Sequence, residues 1–203
     1  MPATADDAGR RDGVRSFSGW LVLVLLLASA ALWAAIAFGT LPHLQSLAGG
    51  LAPFDVRPRG YSYAEARAFL QAAGPPGRAY YLDPELVFDS FFPPLYALSL
   101  ALAMWWLTKP GRLCAGATPS VWRWTLVALP LVLAVIDGGV ENVCIAKMLW
   151  QWPDLSPDLV RLASLATQLK SLLLALTAVA IVALAVAAAW RRQIRRRSST
   201  GAR

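Results

Sequence analysis

The sequence predicts an all-α integral membrane protein, a four-helix bundle with a partly helical extracytoplasmic loop between the first and second spans. Two of the observations that predict this fold concern composition. Of the 203 residues, 57% are hydrophobic and only 15% are charged, whereas soluble domains average about 25% charged residues. The third is that the apolar residues form four blocks separated by polar stretches. The same composition argues against a disordered chain, a disulfide scaffold and a nucleic-acid-binding module.

Each apolar block is interpreted as one transmembrane helix. Because an α-helix rises about 1.5 Å per residue, roughly 20 residues cross a hydrocarbon core about 30 Å thick. The third uncharged stretch, residues 124–136, is too short, so this helix must continue through Asp137 and Glu141. Tryptophans, which favour the headgroup level of a membrane, lie at most of the helix ends. The predicted spans are residues 19–41, 90–108, 124–149 and 162–190.

The distribution of lysine and arginine predicts the orientation of these spans. Twelve of these residues lie in segments 1–18, 109–123 and 191–203, and five lie in segments 42–89 and 150–161. Since cytoplasmic segments carry the excess of positive charge, we expect both termini in the cytoplasm. The net charge of +7 is then no evidence for a nucleic-acid partner. The expected partners are the lipid bilayer and, at the arginine-rich C-terminal tail, anionic lipid headgroups.

The first apolar block has an alternative interpretation. Arginines followed by an apolar run and by Ala35-Ile36-Ala37 also resemble a cleavable signal peptide. We favour an uncleaved span, because an apolar stretch of more than about 20 residues exceeds the roughly 7 to 15 residues of a signal core.

Cysteine and histidine are too sparse for the common metal and haem sites. Cys114 is expected in the cytoplasmic loop and Cys144 in the outer half of the third span, so no disulfide within the chain is predicted. His43 is the single histidine. No zinc, iron–sulfur or haem site, and no other cofactor, is therefore predicted.

The extracytoplasmic loop 42–89 is expected to be folded, because it is long for a connection without structure of its own. Ser62 and Glu65 have the spacing of a capping box, in which each side chain accepts a hydrogen bond from the other residue's backbone N–H. A short helix over residues 63–73 is predicted to follow, with Phe69 on a narrow apolar face. Gly74, followed by two prolines, should end this helix.

Two further helix starts are predicted from an N-cap residue followed by proline. Asp83-Pro84-Glu85 indicates that the second span begins outside the membrane, and Ser156-Pro157-Asp158 does the same for the fourth. Pro93 and Pro94 then lie inside the second span, where they would kink the helix or mark its true start.

The third span contains an unusual group of polar residues. Asp137 and Glu141 share one helix face, and a carboxylate near the membrane centre costs about 3 kcal/mol unless it has a partner. Lys170 of the fourth span is the available partner, and we predict a Glu141–Lys170 contact with Asp137 and Asn142 hydrogen-bonded nearby. The alternatives are a neutral Asp137 and a Lys170 that extends to the outer headgroups. The candidate binding residues are Asp137, Glu141, Asn142, Lys170, Thr167 and Thr177.

Glycines beside this group allow two interpretations. Gly138 and Gly139 favour either close packing against a neighbouring helix, the commoner case, or a weak point at which the helix opens.

Several short strings between residues 53 and 175 resemble a family of small bacterial membrane proteins with four transmembrane helices and no characterised function. The resemblance implies a shared fold and carries no activity. The strings are Phe54-Asp55, Gly60-Tyr61-Ser62, Gly77-Arg78 with Tyr81-Leu82, Phe92-Pro93-Pro94-Leu95-Tyr96-Ala97-Leu98, and Asp137 with Glu141-Asn142.

Three functions are compatible with this pattern. The first is a multi-pass membrane protein whose intramembrane polar cluster binds a lipid, a small amphiphile or an ion. The second is a structural subunit or assembly factor that docks to a membrane protein partner or forms a homodimer. The third is a membrane enzyme that uses a buried carboxyl as acid or base. The third is the least supported, because no nucleophile stands at recognisable spacing from a base.

Overall fold

The computed structural model describes residues 19–108 and 120–200. Within these two ranges every regular element is a helix and no β-strand occurs. The predicted tail 1–18, Cys114 and most of the loop 109–123 lie outside them, as does the end of the C-terminal tail. The helices are α1 (Gly19–Ala35), α2 (Leu41–Leu47), α3 (Tyr63–Tyr80), α4 (Leu86–Leu107), α5 (Ser120–Ala134), α6 (Asn142–Gln151) and α7 (Pro157–Thr200).

Wider π-helical turns join some of these helices into longer units. Ile36–Thr40 connects α1 to α2, and Val135–Glu141 connects α5 to α6. Tyr81–Glu85 leads into α4 through a kink, because Asp83 has an extended backbone with φ of −155° and ψ of 107°, so the helix start predicted at Asp83-Pro84-Glu85 is confirmed. Four of the resulting units are long and apolar enough to cross a membrane. They are Gly19–Leu47, Tyr63–Leu107, Val121–Gln151 and Pro157–Arg191.

The helices differ in length from the predicted spans. The first unit continues past residue 41 to Leu47, and α7 begins at Pro157, at the predicted proline start, rather than at 162. Pro93 and Pro94 both lie inside α4, so the start of this helix precedes them. The third unit continues through Asp137 and Glu141, as the shortness of its uncharged stretch required.

The loop between the first two units is folded, and its capping box is confirmed. Ser62 Oγ accepts a hydrogen bond from Glu65 N at 3.2 Å, and Glu65 Oε2 accepts one from Ser62 N at 2.7 Å. Gly74, with φ of 60° and ψ of −176°, interrupts the helix where a break was predicted. The predicted end of the helix at Gly74 is thus confirmed, and a second helical segment follows directly and continues to Tyr80, so that α3 consists of two segments joined at a kink.

Aromatic residues of this loop form a core on top of the helical bundle. Phe54, Phe69 and Tyr81 are fully buried, with the Phe54 ring centroid 4.8 Å from that of Phe69. Tyr81 Oη donates a hydrogen bond to Asp55 Oδ2 at 2.5 Å. These contacts hold the 3₁₀ turn Phe54–Val56 against α3 and over the bundle. They thereby place Asp55 close to residues of α4 and α7.

Tyr61 attaches the same loop to α7. Its backbone N–H donates to Ser164 Oγ at 2.8 Å, and its side chain is buried. Burial and then the nearby Asp55 carboxylate raise the pKa of the Tyr61 phenol, so the phenol stays neutral.

In the bundle below, α4 packs between α1 and α5, and α7 packs on α5 and on the π turn Val135–Glu141.

Gly60 is expected to be required for this attachment. Its φ is +75°, and an added Cβ would overlap Ser164 Oγ and the Gln168 amide. Gly60→Ala should therefore lower the free energy of unfolding by about 2–3 kcal/mol, combining backbone strain with overpacking. Thermal unfolding in detergent micelles measures this loss. Gly49→Ala is the matched control, because Gly49 has a φ of +63° but open space around its Cβ position. Equal losses in the two variants would contradict the steric argument.

Candidate functional site

Lys170 of α7 lies between the two acids of the third unit. Its Nζ is 2.6 Å from Glu141 Oε2 and 3.2 Å from Asp137 Oδ1. The three side chains are almost enclosed, with exposed fractions of 13% for Lys170, 6% for Asp137 and 0% for Glu141. The predicted Glu141–Lys170 contact is confirmed. The alternative in which Lys170 extends outward is wrong, because its ammonium group is held by both acids.

Hydroxyl groups take the remaining oxygen of each acid. Tyr96 Oη donates to Asp137 Oδ2 at 2.9 Å, and Thr167 Oγ1 donates to Glu141 Oε1 at 2.6 Å. Each carboxylate therefore has the ammonium group at one oxygen and a hydroxyl at the other. This arrangement is what a buried ion pair needs to offset the loss of hydration. We call Asp137, Glu141 and Lys170 the ion cluster.

The π turn Val135–Glu141 carries both acids and packs closely on α4. The backbone N–H of Asn142 donates to the carbonyl of Asp137, five residues earlier, as in a π-helix. A Cβ at Gly138 would lie 3.2 Å from Pro93 Cγ, so glycine allows α4 to approach this turn. The close-packing interpretation is thus confirmed at Gly138, which lies inside the hydrogen-bonded π turn. Gly139 is exposed and makes no such approach.

Two of the predicted site residues do not take the expected positions. Thr177 Oγ1 donates to the carbonyl of Leu173 in its own helix, so this hydroxyl does not join the ion cluster. Asn142 is buried, but its amide lies beside Asp89 rather than bonding to either acid of the cluster. Within the described residues, the Asn142 amide makes no hydrogen bond to Asp137 or Glu141, and Asp89 is its polar neighbour. Helical spacing placed Thr177 on the correct face but could not give its depth or its hydroxyl rotamer.

A cavity of about 240 Å³ adjoins the ion cluster. Its polar wall consists of Asp55, Asp89, Tyr96, Asp137 and Lys170. The apolar part comes from several helices, with Trp33 of α1 on one side and Leu174 of α7 on the other. These two side chains are each about half exposed, Trp33 at 52% and Leu174 at 52%, so the cavity opens onto an apolar outer surface of the bundle.

Asp89 is the site residue that the sequence analysis missed most completely. It is the last residue of the predicted extracytoplasmic loop 42–89, yet it is only 8% exposed and lines the cavity. Its Oδ2 is buried without a hydrogen-bond partner in the described part of the chain, as is Asp55 Oδ1. Tyr96 was also missed as a site residue. A tyrosine in the middle of an apolar block was a usable signal, because a buried phenol needs a hydrogen-bond partner.

The chemistry available here is ionic and hydrogen-bonding. Four carboxyl groups, those of Asp55, Asp89, Asp137 and Glu141, surround one ammonium group, that of Lys170. Within residues 19–108 and 120–200, no group of three or more His, Cys, Asp or Glu side chains is arranged to hold a metal ion. Comparison of the chain with protein-family models, with curated proteins and with solved structures finds no match.

Proposed function

We propose that the protein is a multi-pass membrane protein that binds an amphiphilic molecule in the cavity beside Asp137 and Lys170. Large apolar side chains on the outer surfaces of α1 and α7 support the membrane location, because a water-soluble monomer rarely exposes a continuous apolar surface of this kind. Examples are Trp20, Leu27, Leu172, Val179 and Val186.

The proposed orientation follows from the charges at the helix ends. With both termini in the cytoplasm, the arginines that follow Trp190 lie on the cytoplasmic side, where basic residues accumulate. The loop core around Phe54 and Phe69 then lies outside the cytoplasm, above the outer half of the bundle. A bacterial inner membrane is the proposed location, in keeping with the family that the sequence resembles.

The shape and lining of the cavity carry the proposal for binding. The inner wall is charged, while the mouth between Trp33 and Leu174 is apolar and faces the proposed lipid phase. An amphiphile matches this division, because its headgroup would meet the polar wall and its chain would remain among apolar groups. At about 30 Å³ for each water-sized group, the cavity holds roughly eight non-hydrogen atoms. It would thus take a headgroup and the first carbons of a chain, with the rest of the chain lying along α1 and α7.

A structural subunit is the second candidate, and the ion cluster itself favours it. Both acids and the lysine of the cluster find their partners within the chain, so these residues need no ligand. Such a cluster could serve only to hold α7 in register against the third unit. The unpartnered oxygens of Asp55 and Asp89 favour binding instead, since their polar atoms face a cavity without a partner in the described chain.

Displaceable photolabelling distinguishes these two functions. The protein is placed in nanodiscs of uncharged galactolipid with a decyl amphiphile that carries a diazirine next to its headgroup. Three versions of the probe have a neutral, a carboxylate and a trimethylammonium head. If the cavity binds an amphiphile, an excess of the corresponding unlabelled amphiphile, added before irradiation, will compete with the probe. For at least one headgroup it will then reduce the photolabelling of the wild-type protein, and we call this fraction the displaceable labelling.

Two tryptophan variants on α7 locate the displaceable labelling. Leu174→Trp fills the cavity mouth and should reduce it about tenfold. Leu172→Trp is the matched control, because Leu172 is similarly exposed but does not line the cavity. If no headgroup gives displaceable labelling, or if the two variants lose it equally, the binding proposal is wrong and the structural function is favoured.

A further inference from the structure

The cavity wall carries more acidic than basic side chains. Asp55, Asp89 and Asp137 contribute carboxyl groups to its wall, and Lys170 contributes the single ammonium group. Lys170 is already held by Asp137 and by Glu141, which lies just behind the wall. Asp55 and Asp89 are close enough to Lys170 to interact with it electrostatically as well, so one ammonium group faces four carboxyl groups.

Most of the unused hydrogen-bonding capacity at the cavity consists of acceptors. Asp89 Oδ2 and Asp55 Oδ1 are buried and have no hydrogen-bond partner in the described ranges, and the donor that lies beside Asp89 is the amide of Asn142. The two donors on the wall are engaged, since Tyr96 Oη donates to Asp137 and Lys170 Nζ contacts both acids of the ion cluster. A buried acceptor without a donor costs free energy, so a matching ligand would supply donors or positive charge.

The apolar walls narrow the choice of cation. Trp33 and Phe92 line the cavity with aromatic rings, which attract organic ammonium groups through their electron-rich faces. A small inorganic ion would leave these walls unfilled and would meet fewer oxygens than it prefers. An anionic headgroup would meet three carboxyl groups and be repelled.

We infer that the cavity binds the ammonium headgroup of a cationic amphiphile, with Asp89 as its principal counter-ion and Asp55 as the second. This inference rests on the proposed amphiphile-binding function and specifies the ligand class for the same site. The ion cluster then serves as the fixed inner wall, because Lys170 neutralises Asp137 and Glu141 and leaves the outer pair of acids to the ligand.

The first test compares headgroups on wild-type protein, in the same uncharged nanodiscs and without any variant. Decyltrimethylammonium should displace the labelling at about one tenth of the concentration that the neutral decyl amphiphile requires, and decanoate should be the weakest competitor. If the neutral amphiphile displaces as well as the cation, while Leu174→Trp still removes the labelling, the ammonium assignment is wrong and amphiphile binding stands. If nothing is displaced, both proposals fail.

The second test assigns the counter-ion. Asp89→Asn should weaken displacement by the trimethylammonium amphiphile about tenfold more than it weakens displacement by the neutral amphiphile. Asp158→Asn is the matched control for charge at the outer end of the molecule, because Asp158 is exposed on the first turn of α7. If Asp89→Asn keeps the cation preference of wild type, or if Asp158→Asn loses it to the same extent, Asp89 is not the counter-ion.

Discussion

Lys170→Met is expected to lower the free energy of unfolding by about 3–5 kcal/mol, the largest loss anticipated for a single substitution in this protein. The variant removes the ammonium group that lies 2.6 Å from Glu141 and 3.2 Å from Asp137. Two enclosed acids would then face each other without a cation, and at least one would have to take up a proton or draw in water. Thermal unfolding in detergent micelles, followed by circular dichroism, measures the loss.

Two further variants of the protein serve as controls for this result. Lys147→Met removes the exposed lysine of α6 and should change stability by less than about 0.5 kcal/mol. A triple variant with Lys170→Met, Asp137→Asn and Glu141→Gln should recover much of the loss, because no unpaired charge remains in the bundle. If Lys170→Met is as stable as Lys147→Met, the ion cluster does not stabilise the fold as described.

Gly138→Val is expected to have the next largest effect, a loss of about 2–3 kcal/mol. A Cβ at this position already lies 3.2 Å from Pro93 Cγ, so the two methyl groups of valine would push the π turn away from α4. This displacement would also lengthen the hydrogen bond between Tyr96 and Asp137, which joins the same two elements. The measurement is again thermal unfolding in detergent micelles.

The neighbouring glycine provides the control for this variant. A Cβ at Gly139 would meet only Val135, at an ordinary contact distance of 3.8 Å, and the position is exposed. Gly139→Val should therefore cost less than about 1 kcal/mol, mostly through the reduced rotamer freedom of valine in a helix. Similar losses at the two positions would show that helix propensity, and not contact with Pro93, accounts for the loss of stability in Gly138→Val.

The parts of the fold that were predicted correctly depend on residues close together in the chain. The capping box joins Ser62 to Glu65 across three residues, and the break at Gly74 follows from a glycine and two prolines in succession. The four apolar units could be recognised because length and hydropathy are local properties. The Glu141–Lys170 contact is a partial exception, since it was predicted from energy: a buried acid needs a cation, and few were available.

The remainder of the site depended on contacts between residues distant in sequence. Asp55 belongs to a loop that the aromatic core folds back over the bundle, and Asp89 lies on the face of α4 that turns toward Asp137. The distances of Asp55 and Asp89 from Lys170 depend on many packing contacts, including the close approach of Pro93 to Gly138. Local composition is the same whether such acids face solvent or a cavity. Apolar periodicity and charge therefore predicted helices, their ends and one ion pair, whereas the packing of the loop and of α4 produced the acidic cavity.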